Sequence, residues 1–220
     1  MINKFDESQS FFYENGFYLT SQPYRMGNIL AHYEVYKQIT GIPGAVFEIG
    51  VFRGGLMQWG TFRELLENKN SRRIVGFDMF GQFPSSNTVG SDAKFVEKWN
   101  RQFAGEFVSK EEIEESLRLK GFDNVQLVKD DIRDTLPRFL SENPSLRIAL
   151  LHIDTDVYEP AKIALDACWN RVVRGGIVLL DDYATIEGET LAVDEFFKEK
   201  PYTIHKFPFS HEKPSWIIKE

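Results

Sequence analysis

The stretch that decides the fold is 148-IALLHIDTDVYEPAKIALDACWNRVVRGGIVLLDDY-183. Ile148 to Ile153 is a near-continuous apolar run, the pattern of a parallel strand buried on both faces, and it stops at Asp154 and Asp156. Pro160 suits the first turn of a helix. Ile163, Ala164, Ala167, Cys168 and Val172 then recur on one face until Gly175 and Gly176 end it. Ile177 to Leu180 is a second buried strand, and it too stops at a pair of acids, Asp181 and Asp182. A right-handed strand–helix–strand crossover sets the two acidic strand ends side by side on one rim, where open α/β sheets bind ligands.

Four carboxylates on one rim repel one another and call for a cation among them. Oxygen ligands, with no nearby Cys and one His, point to Mg²⁺, Mn²⁺ or Ca²⁺ before zinc. The plainer reading, solvated acids that cap helices, carries equal weight at this point.

Moving outward, Ala45 to Ile49 is the first core strand. It runs into Glu48-Ile-Gly50-Val-Phe-Arg-Gly54-Gly55 before a helix through Leu56 to Leu66. Strand, glycine turn and helix make a nucleotide-type site, because glycine lets a ligand approach backbone N–H groups at a helix start. The spacing is not that of the dinucleotide fingerprint, and an acid two residues before the first glycine fits S-adenosylmethionine enzymes better. Arg73 to Phe77 is the second strand, and Asp78 at its end is placed to accept hydrogen bonds from ribose hydroxyls. Val125 to Val128 is a third strand; after it Asp130, Asp131 and Ile132 could hold an adenine. Ser109 and Glu112 have capping-box spacing for a helix ending at Gly121. Met79 to Phe107 is a long excursion, with residues 85–108 a lid whose Trp99 and Phe103 are candidate substrate walls.

At the ends of the chain, residues 1–22 carry Phe5, Phe11, Phe12, Tyr13, Phe17 and Tyr18 without a clean period. They read as an arm that packs on the body or on a second subunit. A helix from Tyr24 to Thr40, with Ser21 as its cap, leads into the sheet. Thr203 to Phe207 and Trp216 to Lys219 make two final strands.

At 220 residues the chain is read as one domain. A formal charge of -7 and a pI near 5.3 argue against nucleic acid or an anionic membrane as partner. The single Cys168 excludes an internal disulfide and reads as a buried apolar residue in a reducing compartment. With no signal-peptide core and no apolar run near the roughly 20 residues needed to span a bilayer, the expectation is a soluble cytoplasmic protein.

Five segments, VFEIGVFRGG (46–55), FDMFGQFP (77–84), DTLP (134–137), LLHIDTDVYE (150–159) and GGIVLLDDY (175–183), together resemble the macrocin and novobiocin type sugar O-methyltransferases. The resemblance implies a Rossmann-like class I methyltransferase: an α/β fold with a seven-stranded, mostly parallel sheet, an antiparallel last strand and helices on both faces. It implies S-adenosylmethionine at the glycine turn, with Glu48, Gly50, Gly54, Gly55, Asp78 and Asp131 as cofactor-binding residues. It also implies Mg²⁺ or Mn²⁺ on Asp154, Asp181 and Asp182, and a sugar-containing small-molecule acceptor. An aromatic arm adds the expectation of a homo-oligomer. The sequence departs from the common methyltransferase pattern at Phe52, where a second glycine is usual, and at Asp130. Catechol-type relatives place a lysine at the position of Val157, so the base comes from elsewhere. Asp156, on the same side as Asp154 in extended geometry, is the candidate, with His152 or a metal-bound water next. A metal-dependent methyltransferase of a non-sugar acceptor, a D-x-D glycosyltransferase and a non-catalytic metabolite-binding protein remain alternatives.

Overall fold

The computed structural model describes residues 6–84 and 92–220. Its sheet is built from β1 (Ala45–Ile49), β2 (Ile74–Asp78), β3 (Val125–Lys129), β4 (Ile148–Ile153), β5 (Val172–Leu180) and β6 (Ser215–Ile218). The spatial order is β3-β2-β1-β4-β5-β6; all neighbours are parallel except β5 and β6. β1 and β4 are fully buried, as their unbroken apolar runs require. Because the order reverses between β1 and β4, the carboxyl ends of those two strands flank the crevice in which such sheets bind ligands.

Alternate strand residues feed two cores. Phe47, Ile49, Phe77, Leu151, Ile153 and Leu180 pack under α6 (Ile132–Glu142), α7 (Tyr158–Cys168) and α8 (Glu187–Phe197). Val46, Ile74, Leu150 and Leu179 pack under α2 (Pro23–Ile39), α3 (Met57–Leu66) and α5 (Lys110–Lys120). Helices therefore cover both faces, as expected. The helix α5 follows its sequence signals closely: the Ser109–Glu112 capping box is formed and Gly121 closes it in the left-handed region.

Three expectations are corrected. Six strands are seen among the described residues, not seven. The segment expected as the seventh, Thr203 to Phe207, touches β6 through a single bridge from His205 to Trp216 and then turns away through Phe207 and Ser210. The crossover helix ends at Cys168 and β5 starts already at Val172, so Gly175 and Gly176 lie inside a strand. Gly175, at φ +80, gives its N–H to Lys219 O, and the register of β5 against β4 shifts beside it. Those glycines, read as a helix stop, allow a bulge. Ser21 is the C-cap of α1 (Ser10–Thr20), and α2 starts with Pro23 after Gln22. The N-terminal arm is that helix α1, and it buries no residue against the body: Phe11, Phe12, Tyr18 and Leu19 are exposed. Phe5 of the arm and residues 85–91 of the expected lid lie outside the described residues. The remainder of that expected segment is α4 (Asp92–Gln102) and the turn after it. No helix among the described residues is long and apolar enough to cross a membrane.

Candidate active site

A cavity of about 1090 Å³ opens at the β1–β4 crevice, and every residue expected in the site lines it: Glu48, Gly50, Gly54, Gly55, Asp78, Asp131, Asp154, Asp156, Asp181 and Asp182. Its roof is formed by Trp99 and Phe103, which pack on Phe52 with ring centroids 5.2 Å away in each case.

One half of the crevice is the turn after β1. Gly50 sits at φ +97, and a Cβ there would lie 1.8 Å from Asp154 O, so the approach of β1 to the end of β4 requires glycine. Gly54 is at φ +98, and a Cβ on it would meet nothing nearer than Met57 Cγ at 3.7 Å, which leaves that side open. Asp78 organises the turn. Its Oδ2 accepts the N–H groups of Val51 (2.7 Å) and Phe52 (2.8 Å), and its Oδ1 accepts that of Phe80 (2.6 Å). Phe52 holds φ 48 under this clamp, a conformation in which a glycine would be unstrained. Glu48 is buried; its Oε1 accepts from Trp59 Nε1 (3.1 Å) and faces His152 Nδ1 (3.2 Å), while Oε2 has no hydrogen-bond partner. Burial raises its carboxyl pKa above the usual range. Asp131 caps α6, accepting from Arg133 N (2.9 Å) and Nε (2.9 Å), and that ion pair lowers its pKa. Its oxygens are thus already shared with Arg133.

The other half is the acid rim after β4 and β5. Carboxylate oxygens of Asp154, Asp156 and Asp182 lie within 4.8 Å of one another. Asp156 reaches this group from the left-handed region, φ 61, and not through the extended geometry expected from its spacing to Asp154. Asp182 is buried, with its Oδ1 held by the ammonium of Lys213 and its Oδ2 without a partner. Behind it, fully buried Glu189 accepts the Asp182 N–H on Oε1 (3.0 Å) and leaves Oε2 unpaired. Burial raises the Asp154 carboxyl well above its usual range, and the Asp181 charge adds to this. Burial likewise lifts Asp156 to about 6, with Lys213 opposing and Asp181 reinforcing the shift.

Asp181 stands apart. Its side chain, 14% exposed, turns toward His32 Nε2 (3.3 Å), His152 Nε2 (3.8 Å) and Asn28 Nδ2 (3.4 Å). Burial alone would raise its pKa, but the two imidazoles outweigh that and hold it well below the carboxylate range. Burial would lower His152, yet Asp181 and Glu48 on its two nitrogens raise it to about 10. His32, Lys213 and Glu189 were not legible as site residues. His32 sits on an apolar helical stripe where a histidine is usually core, and Lys213 comes from a loop without a pattern.

A family model for macrocin O-methyltransferase (TylF) matches residues 23–205, from the start of α2 to the His205 bridge, and so includes both halves of the crevice. The chain belongs to the macrocin O-methyltransferase family. A Streptomyces olivaceus 8-demethyl-8-(2,3-dimethoxy-alpha-L-rhamnosyl)-tetracenomycin-C 4'-O-methyltransferase is 31% identical over 149 residues, 66% of this chain and 54% of that protein. A Streptomyces niveus demethyldecarbamoylnovobiocin O-methyltransferase is 29% identical over 164 residues, 70% of this chain and 58% of that protein. The chain thus spans a little over half the length of these curated relatives. Among solved structures, the calicheamicin methyltransferase CalS11 is 26% identical, with a TM-score of 0.70 over 93% of this chain and 83% of that one. The O-methyltransferase NovP, at 23% identity and a TM-score of 0.74 over 89% of this chain and 79% of that one, shares the fold.

Proposed function

We propose that the chain is an S-adenosylmethionine- and Mg²⁺-dependent O-methyltransferase acting on a hydroxyl of a sugar-containing small molecule. The observation that carries this reading is the single cavity in which a glycine turn with an open side faces buried, unsatisfied rim carboxylates. The named activities of the family's relatives support the sugar acceptor.

The residues fit both groups. Gly50, Gly54 and Gly55 form the cofactor cradle, Glu48 lies beneath it, and Asp78 fixes its backbone and keeps lone pairs for ribose hydroxyls. Asp131 borders the adenine end, already aligned by Arg133. Asp154, Asp181 and Asp182 would hold the ion, and the partnerless Asp182 Oδ2 is the sort of buried oxygen a hard cation satisfies. Bound there, S-adenosylmethionine supplies an electrophilic methyl group and Mg²⁺ a Lewis acid for the acceptor hydroxyl. Asp156, beside Asp154 and Asp182, is the base that accepts the hydroxyl proton as the methyl transfers. Trp99 and Phe103 close the roof and exclude water from the reacting atoms.

An acidic chain without a described basic face suits a small-molecule acceptor better than nucleic acid or membrane, and buried Cys168 suits a cytoplasmic setting. The unburied aromatic face of α1 fits contact with a second copy in a homo-oligomer. The test is a thermal-shift and methyl-transfer assay with S-adenosylmethionine, Mg²⁺ and a panel of nucleotide sugars, glycosylated natural products and phenols. Stabilisation by S-adenosylmethionine and metal-dependent methylation of a glycosyl hydroxyl are expected. No cofactor-induced shift would overturn the reading, and methylation of phenols alone would replace the sugar acceptor.

A further inference from the structure

Asp181 keeps different company from the other rim acids. A ligand atom from each of Asp181, His32 and His152 lies within 4.8 Å of the others, and the Asp181 Oδ1 is 3.3 Å and 3.8 Å from Nε2 of the two rings. Ligand atoms around a tetrahedral divalent ion with bonds of about 2.05 Å stand roughly 3.3 Å apart. The edge from the carboxylate to His32 already has that length, and the edge to His152 is about 0.5 Å longer.

The far side of each imidazole is already anchored. His32 Nδ1 lies 2.9 Å from Gln58 Oε1, and His152 Nδ1 lies 3.2 Å from Glu48 Oε1. An oxygen acceptor at Nδ1 keeps a ring proton on that side, so Nε2 is the nitrogen left to ligate an ion. Without an ion, protons on the Nε2 atoms face Asp181 Oδ1, and a divalent ion would take their place between the same three groups. His152 is 1% exposed and its Nε2 has no partner within hydrogen-bond distance, which leaves that buried nitrogen available to a ligand. Histidines that bind metals are held in this way, Nδ1 on an outer acceptor and Nε2 free to ligate. His32 and Asp181 both line the cavity, which leaves a further coordination position facing the acceptor space.

We infer that His32, His152 and Asp181 form a second metal site, separate from the acid cluster, that takes a borderline divalent ion such as Zn²⁺, Mn²⁺ or Co²⁺. Two imidazoles and one carboxylate suit such ions, whereas Mg²⁺ prefers an octahedron of oxygens and lies on the other side of Asp181, toward Asp154 and Asp182. Asp181 stands between the two loci and can be shared by them. The inference needs neither the cofactor nor the sugar acceptor, so it can fail while the proposed function stands.

The test uses the full chain, stripped by chelator and titrated with Co²⁺ in a large excess of Mg²⁺, with the visible Co²⁺ bands as readout. One equivalent of Co²⁺ should be retained against Mg²⁺. His32→Gln and His152→Gln should each weaken Co²⁺ by at least about tenfold while stabilisation by Mg²⁺ persists. A companion experiment needs no variant: in ¹⁵N-histidine-labelled wild-type protein, Zn²⁺ should move the Nε2 resonances of two histidines. Loss of Co²⁺ to Mg²⁺, wild-type Co²⁺ affinity in both variants, or imidazole resonances that ignore Zn²⁺ would overturn the site and leave the rings as hydrogen-bond partners of Asp181.

Discussion

The two halves of the crevice are built on opposite plans. The backbone of the glycine turn is closed on itself: Asp78 satisfies Val51, Phe52 and Phe80, and Arg133 satisfies Asp131, although buried Glu48 Oε2 beneath it has no partner. The acid rim is left open. Asp182 Oδ2, Glu189 Oε2 and His152 Nε2 are buried polar atoms without partners, and Asp154 is pushed toward its neutral form by burial and the charge of Asp181. A native chain tolerates such atoms where a ligand completes them. The difference teaches that the glycine turn is organised before anything binds, whereas the rim keeps buried polar atoms that a ligand has still to satisfy.

If that contrast holds, the largest effect is on the open half. Removal of divalent ions with a chelator should abolish turnover while S-adenosylmethionine still binds, because the turn's hydrogen bonds do not pass through the rim. Calorimetry of cofactor binding in chelator, run beside the methyl-transfer assay, checks both statements. Undiminished turnover would break the comparison outright.

Next in size is Asp156→Asn. If Asp156 is the base, the variant should lose roughly 10² to 10⁴ in kcat with cofactor affinity unchanged. Asp156 sits in the acid group, so Mg²⁺ affinity sorts its roles: unchanged for a base, weakened for a ligand. The pH profile adds an independent readout. Burial raises the Asp156 pKa to about 6 and a base works only when ionised, so the rate should fall as the pH drops through about 6. A bound cation favours the ionised form and moves that limb lower. The variant should lose the limb, and one that keeps kcat and limb places the base elsewhere.

These contrasts also explain what the sequence made legible. Buried parallel strands announce themselves as apolar runs, so β1, β4 and the acids at the strand ends stood out, as did α5 with its capping box. Gly175 did not: the same residue stops a helix or permits a bulge, and only the pairing with Lys219 decides. Phe52 looked like a departure from the glycine pattern, yet the Asp78 clamp supports its conformation from 26 residues away. His32 and Lys213 reach the rim from α2 and from the loop before β6. Nothing local marks contacts at such separations, so long-range partners were missed while local ones were found.

Asp78→Ala tests the closed half. It frees the Val51 and Phe52 N–H groups that the carboxylate holds, and it removes the acceptor offered to the ribose. Cofactor affinity should fall by about 1.5 to 3 kcal/mol, the range for hydrogen bonds to a charged group, with Mg²⁺ affinity little changed. Calorimetry with each ligand separately measures the two halves in one protein. Equal losses for cofactor and metal would mean that the halves are not independent.

The smallest effect belongs to Lys213, and it sharpens the comparison most. Its ammonium lies on Asp182 Oδ1, so the open half carries one cation of its own before any ion arrives. That cation opposes a metal in two ways: it occupies an oxygen the ion needs, and it repels the ion's charge. The side chain is 38% exposed, so water screens the pair and holding it contributes little, as exposed ion pairs do. Displacing it therefore costs an incoming ion little. Lys213→Gln keeps the length and polarity of the side chain while removing the charge, and Mg²⁺ should bind about three- to tenfold tighter. A Mg²⁺ titration of the variant followed by calorimetry decides the matter. Weaker binding would show that Lys213 holds Asp182 in the geometry the metal requires, in which case the open half, like the glycine turn, is partly organised by its own side chains.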